Sequence, residues 1–281
     1  MRVLIIQENS RHESNKEFRE CFCMQRSFIN LGCSVVVWGL GHENFNDDIS
    51  FDSFDLIINL ENYDTINWTP DLSSVNSYKL LWSIDAHCRG VSVFDRTFDQ
   101  GRYNLLLHST RDYAIGKNRV WFPNSYDDSL IFNTENEREF FVGFCGNYAN
   151  RKIMIDDLEK KYGLKKDIFV IGHDMVRAIN SYQIHFNKNI SNDINYRSFE
   201  TIGCETLLLT NYNDQYLKLG FIDMENCVLY SSHHDMLDKV DFLKQNPNEI
   251  KKISNKGKEL ASNHTYNKRV EKLLEFLGDK I

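Results

Sequence analysis

Asn192-Asp-Ile-Asn-Tyr-Arg-Ser-Phe-Glu-Thr-Ile-Gly-Cys-Glu-Thr-Leu-Leu-Leu-Thr-Asn211 reads as a short helix, a glycine stop and a strand. Asn192 or Asp193 is expected to cap the helix, because a short side-chain oxygen accepts from the open N–H groups of a first turn. Gly203 suits the left-handed residue that closes a helix, and Thr206–Thr210 is then an apolar run bounded by polar residues. Arg197 and Glu200 stand three apart and so meet on a helix surface. Pattern alone makes this an ordinary α/β unit with a surface ion pair.

The same alternation extends in both directions. Val3–Ile6 is a continuous apolar run, the usual form of a buried parallel strand, and a helix over residues 16–31 ends at Gly32. Further strands are expected at Ser34–Trp38, Asp55–Asn59, Tyr78–Ile84, Asn104–His108 and Arg119–Phe122. The charged and polar run Glu135–Glu139 marks a domain boundary. Beyond it a second cycle follows: strand 140–144, helix 150–162, strand 168–171, helix 174–181, strand 182–186, the stretch quoted above and a strand at 227–230. Ile250, Ile253, Gly257 and Leu260, then Val270, Leu273, Leu274 and Leu277, recur at helical spacing. Alternating strands and helices predict parallel sheets in two domains, 1–134 and 135–262, with a terminal helical segment, 263–281.

Composition bounds the partners. The 281 residues are 42% hydrophobic and 26% charged, ample for a buried core, and the net charge of −7 provides no global field for nucleic acid or anionic lipid. Lys160, Lys161, Lys165 and Lys166, and the set Lys251, Lys252, Lys256 and Lys258, read as solvated helix faces. Seven cysteines without a C-x-x-C pair argue for a reducing compartment and against a disulfide framework or a zinc site. The opening apolar run is too short for a signal peptide, and no run approaches the ~18 residues needed to span a bilayer, so a soluble cytoplasmic protein is expected.

Arg197-Ser-Phe-Glu-Thr-Ile-Gly-Cys-Glu-Thr-Leu-Leu-Leu-Thr210 resembles the R-x-F-E-x-x-A-C-G-x-x-L-L block of group 1 glycosyltransferases, in particular the subset similar to the spore-maturation protein CgeB. Phe144-Cys-Gly-Asn-Tyr-Ala-Asn-Arg151, Ile184-His-Phe-Asn187, Asn226-Cys-Val-Leu-Tyr-Ser231, Leu243–Ile250 and His264-Thr-Tyr-Asn-Lys-Arg269 agree with it in the family's order. The resemblance covers roughly residues 140–270. It implies the GT-B architecture: two Rossmann-like domains facing a central cleft, with the last helix crossing back to the N-terminal domain. It also implies transfer of a sugar from a UDP- or GDP-sugar, with retention of configuration, no metal and no tightly bound cofactor. The acceptor could be a carbohydrate, a protein or a modified base of DNA. A catalytically silent nucleotide-sugar-binding or coat-assembly protein is the rival from another class.

Candidate residues follow from both readings. Gly143-Phe-Cys-Gly146-Asn147 joins a strand to a helix, where free N–H groups and the positive helix end suit a diphosphate. Gly143, Gly146, Asn147, Arg151 and Lys188 are therefore expected on the diphosphate, with Arg151 neutralising charge in the leaving group. By resemblance, Glu200 accepts from the two ribose hydroxyls, and Arg197 either holds Glu200 or faces the phosphates. Retaining relatives often carry a glutamate eight positions before Glu200, which here is Asn192. Asp85 and His87 end a strand in the N-terminal domain and could orient an acceptor or take its proton; His108, Glu8 and His12 hold similar positions. Other chemistries lack their signatures: there is no glycine fingerprint after the first strand, no P-loop, no H-E-x-x-H, no G-x-S-x-G and no Asp-x-Asp. His233-His234 are adjacent and so seldom converge on one ion.

Overall fold

The computed structural model describes residues 1–62 and 68–281. Contacts within the chain divide it into two compact units, Met1–Asn124 with Tyr266–Ile281, and Ser125–Thr265.

The first unit contains β1 (Arg2–Ile6), α1 (Glu20–Asn30), β2 (Ser34–Trp38), β3 (Leu56–Leu60), β4 (Tyr78–Ser83), α2 (Ala86–Arg89), α3 (Val91–Gln100), β5 (Leu105–His108) and β6 (Arg119–Trp121). The strands pair in parallel in the order β2-β1-β3-β4-β5-β6. Continuous apolar runs produce this arrangement because a parallel strand covered on both faces has no polar side to alternate with. Val3–Ile6 and Leu56–Ile58 are fully buried. One layer packs Leu4, Ile6, Ile57, Leu81 and Leu106 with Trp38, Phe94 and Tyr103. Each such side chain taken from water contributes about 1.5–3 kcal/mol.

The second unit contains β7 (Phe140–Gly146), α4 (Lys152–Tyr162), β8 (Lys165–Ile168), α5 (Gly172–Asn180), β9 (Tyr182–Phe186), α6 (Tyr196–Gly203), β10 (Leu207–Asn211), α7 (Asp214–Lys218), β11 (Val228–Tyr230), α8 (His233–Gln245) and α9 (Pro247–Ala261). Its sheet is also parallel, ordered β11-β10-β9-β7-β8. Val142, Phe144, Ile184, Phe186, Leu207 and Leu209 fill one face against α4, α8 and α9. The segment 125–134 belongs with this unit: Asn133 donates to Glu205 at 3.0 Å, and Asn180 Oδ1 accepts from the Thr134 N–H at 3.0 Å. The last helix, α10 (Tyr266–Leu277), belongs with the first unit, where its stripe of Val270, Leu273 and Leu277 is buried and it packs on α1. Arg269 of α10 reaches the Asn124 carbonyl at 3.2 Å, and burial pushes its pKa down to about 10.

Three local readings change. The helix after β9 starts at Tyr196, with Asn195 at its N-cap rather than Asn192 or Asp193. The Asn195 amide does not cap; it pairs with Asn187 in both directions, at 3.0 and 3.1 Å, while the Asp193 carboxylate accepts from the Ser191 N–H and hydroxyl. Gly203 is not left-handed: that backbone falls to Glu205, with φ 55°. A Cβ on Gly203 would lie 2.6 Å from the Tyr126 ring, so this glycine serves close packing. Lastly, β8 spans Lys165–Ile168 rather than 168–171, so Phe169, Val170 and Ile171 form a loop before α5.

Candidate nucleotide site

Strand order locates the place where a ligand can sit in a parallel sheet. Chain crossovers leave in opposite directions at a topological switch, opening a crevice beyond the carboxyl ends of two adjacent strands. In the second unit β7 is followed by β8 on one side and neighbours β9 on the other, so the switch lies beyond β7 and β9. Gly146 ends β7 and Asn147 follows it, while Asn187 and Lys188 follow β9. Arg151 binds these two loops together, its Nε donating to the Lys188 carbonyl at 2.8 Å and its Nη1 to the Asn147 carbonyl at 2.9 Å. Its side chain is buried, and it has no ion-pair partner among the described residues. Burial lowers its pKa, and the charge of Asp193 offsets that only in part. A buried guanidinium satisfied only by neutral carbonyls is an anion site by its chemistry. Asn147 itself is exposed and turns the loop, its Oδ1 accepting from the Ala149 N–H at 3.3 Å. Lys188 is partly exposed, its Nζ 3.3 Å from the Asn150 carbonyl.

Gly143 corrects the expected glycine loop. It lies inside β7, paired in register with Lys165 and His185, and a Cβ there would come within 2.2 Å of the Tyr182 ring. Its missing side chain makes room for an aromatic ring, not for a ligand. Gly146, at the strand's end, keeps its place beside the loop.

α6 carries Arg197 and Glu200 to the same edge. Arg197 Nη1 pairs with Glu200 Oε2, and its Nε donates to the Cys145 carbonyl at 3.2 Å. Arg197 thereby holds Glu200 in place. The Glu200 Oε1 has no hydrogen bond among the described residues, which leaves an acceptor open at the edge. A relay not read from the sequence supports this placement. The Cys145 N–H donates to His185 Nε2 at 3.2 Å, so the ring's proton sits on Nδ1 and is donated to Thr201 Oγ1 at 2.6 Å. Thr201 in turn donates to the Arg197 carbonyl. Below it, Asn187, Asn189, Asn195, Ser198 and Tyr216 form a buried hydrogen-bonded web, with Ser198 and Tyr216 hydroxyls 2.7 Å apart. Such fully satisfied networks fix a single geometry. The only sequence signal for it was the high frequency of asparagine.

In the first unit Asp85 precedes α2 and is exposed, while His87 lies two residues on, partly buried and with its Nδ1 without a hydrogen-bond partner. The residue that positions them is Glu61, which sequence reasoning missed. Its Oε2 accepts from the N–H groups of Ile84 and Asp85, each at 2.7 Å, and its Oε1 pairs with Arg89 at 2.7 Å. Burial raises the Glu61 pKa, the N–H bonds opposing. Glu8 is buried after β1, its N–H donating to Asn62, and His12 is exposed. His108 ends β5 fully buried, with neither ring nitrogen hydrogen-bonded.

Two of these histidines make stability depend on pH. Burial lowers the pKa of His108 to about 4 and of His185 to about 3, from 6.5. Below pH 6.5 the unfolded chain binds protons that the folded one refuses, so stability falls from there toward pH 4. At pH 5 each group should cost about 2 kcal/mol relative to neutrality. We expect the melting temperature to drop between pH 7 and pH 5 with proton uptake on unfolding; an unchanged melting temperature over that range would contradict the burial of both rings.

Residues 146–275, just under half of the chain, match the family model described as Glycosyl transferase-like. The whole chain is similar in structure to HepE of Anabaena in complex with UDP and glucose, at TM-score 0.68 and 9% identity, covering 99% of this chain and 100% of that one. The fold is that of the GT-B glycosyltransferases. An alpha-glucosyltransferase in complex with UDP-glucose and DNA containing an abasic site shares it at TM-score 0.67 and 9% identity, covering 99% of each chain. T4 phage BGT in complex with UDP and Mn²⁺ does so at 0.63 and 11% identity, again covering 99% of each chain. A search of curated protein sequences found no match. In this GT-B chain the second unit brings Gly146, Asn147, Arg151, Lys188, Arg197 and Glu200 to one sheet edge, while Asp85 and His87 stand in the first unit. Among the described residues no helix is long and apolar enough to cross a membrane, and no three His, Cys, Asp or Glu side chains are grouped to hold a metal ion.

Proposed function

We propose that this chain is a glycosyltransferase that moves a sugar from a UDP- or GDP-sugar to a carbohydrate, protein or modified-DNA acceptor. The observation that carries the reading is Arg151, a buried cation with no ion-pair partner among the described residues at the switch point of a GT-B fold. In this mechanism Gly146, Asn147 and Arg151 receive the diphosphate, with Lys188 at the rim. Glu200, held by Arg197, takes the ribose diol through charge-assisted hydrogen bonds. Charge developing on the leaving diphosphate is met by the Arg151 guanidinium and loop N–H groups, which act without reorganising. Transfer is then metal-independent, and retention of configuration is the expected outcome. Within the group the motif order favours the subset similar to CgeB, and seven unbridged cysteines suit a reducing, cytoplasmic setting. Asp85 and His87 act on the acceptor, with Glu61 fixing their turn.

A second reading keeps the chemistry and places the acceptor on nucleic acid. The likeness to an alpha-glucosyltransferase in complex with DNA favours it, and the net charge of −7 opposes it. DNA binding that weakens steeply with salt would support it.

The test is a mass-spectrometric assay of purified protein with UDP- and GDP-sugars, with and without chelator. Slow release of free sugar and nucleoside diphosphate should persist in EDTA. His87→Ala and Asp85→Ala should lower transfer to an acceptor while leaving nucleotide affinity within about twofold, since groups acting only in the transition state do not contribute to ground-state binding. A strict Mn²⁺ or Mg²⁺ requirement would remove Arg151 from its proposed role. Nucleotide-sugar binding without any turnover would favour a silent binding or assembly protein.

A further inference from the structure

Phe169 is an aromatic side chain placed where ordinary folding forces would not put one. It follows β8 directly, it is 73% exposed, and its backbone is left-handed at φ 57°. Exposure forfeits the stabilisation a buried ring provides, and a positive φ crowds a bulky Cβ against the chain. Glycine would relieve the backbone strain. A side chain kept against both costs calls for a functional explanation.

Its surroundings indicate which. The Phe169 N–H donates to the Gly146 carbonyl at 3.2 Å. That bond is the middle one of three along consecutive residues at the end of β7. The Cys145 carbonyl accepts from Arg197 at 3.2 Å, and the Asn147 carbonyl accepts from Arg151 at 2.9 Å. Three successive carbonyls therefore anchor a guanidinium that holds a carboxylate, an exposed ring, and a guanidinium without a counter-ion. A nucleoside diphosphate presents three matching parts: a vicinal diol, a flat π face and a diphosphate. The first and third are accounted for under the reading above, and the exposed Phe169 ring offers a partner for the second.

We infer that Phe169 stacks on the nucleobase of the bound nucleotide, an assignment that rests on the site being a nucleoside diphosphate site. Every base has a π face, so stacking contributes affinity with little base preference. UDP and GDP should therefore both depend on Phe169. Removing one base–aromatic stack should weaken binding about 5- to 150-fold.

Calorimetric titration of UDP, GDP and inorganic pyrophosphate into wild type, Phe169→Ala, Phe169→Gly and Phe169→Trp tests this. Phe169→Ala should weaken UDP and GDP by that factor and leave pyrophosphate within about twofold. Phe169→Trp should retain nucleotide affinity and add an emission change on saturation. Phe169→Gly should bind as weakly as the alanine variant while melting no lower than wild type, because the strained backbone is relieved. Nucleotide affinities unchanged in Phe169→Ala would overturn the stacking alone. Equal loss of pyrophosphate would overturn it too, marking loop damage instead. A wild type that binds neither UDP nor GDP would overturn both this inference and the proposed function.

Discussion

Arg151→Ala is expected to lower kcat/KM for the sugar donor by more than about 100-fold, a loss of about 2.7 kcal/mol or more of transition-state stabilisation. Two effects combine in that figure. The guanidinium is the buried positive group nearest the loops after β7 and β9, so its loss removes the charge that would meet the departing diphosphate. It also ties those loops through the Asn147 and Lys188 carbonyls, so its loss lets the anion cradle widen. Arg151→Lys separates the two. A lysine keeps the charge but lacks the planar fork that reaches two carbonyls and a phosphate together. It should recover part of the rate and little of the positioning. A loss below about tenfold in a folded Arg151→Ala protein would show that the diphosphate is stabilised elsewhere.

Glu200→Ala is expected to weaken nucleoside diphosphate binding about 10- to 150-fold, or about 1.5–3 kcal/mol. A carboxylate already paired with Arg197 within α6 is pre-oriented, so little ordering cost opposes its bonds to a diol. A ligand without that diol isolates the contact. With a 2′,3′-dideoxynucleoside diphosphate, wild type and Glu200→Ala should bind with nearly equal affinity. Equal penalties for ribose and dideoxy ligands would mean that Glu200 acts by bracing Arg197 and not by touching the nucleotide. Thermal shift offers the same comparison, since a ligand bound only by the folded state raises the melting temperature in proportion to RT ln(1 + [L]/Kd).

The strands were legible because buried parallel strands leave uninterrupted apolar runs, as in Val3–Ile6 and Leu207–Leu209. β8 was misplaced because Lys165–Ile168 sits at the sheet edge and reads as polar, while the apolar Phe169-Val-Ile171 that follows is loop. The glycines misled for a related reason. Gly143 and Gly203 are glycines because Tyr182 and Tyr126 press on them from distant positions in the chain, and local pattern holds no trace of such contacts. Arg151, Arg197 and Glu200 were singled out through the resemblance to group 1 glycosyltransferases, since pattern alone makes Arg197 and Glu200 an ordinary surface ion pair. Glu61 was not, because a lone glutamate after a strand looks like any loop acid until its partners at Ile84, Asp85 and Arg89 are known. His185 hid inside a strand, where its hydrogen bonds to Cys145 and Thr201 are set by sheet pairing and the position of α6.

The central claim is that the crevice beyond β7 and β9 holds a nucleoside diphosphate. A crystal structure of the protein grown with saturating UDP or GDP tests it most directly. The account predicts density for the diphosphate within hydrogen-bond reach of Arg151 and of the N–H groups after Gly146, with the ribose hydroxyls on Glu200. Phosphates bound away from Arg151, or a crevice that stays empty at saturation, would contradict it.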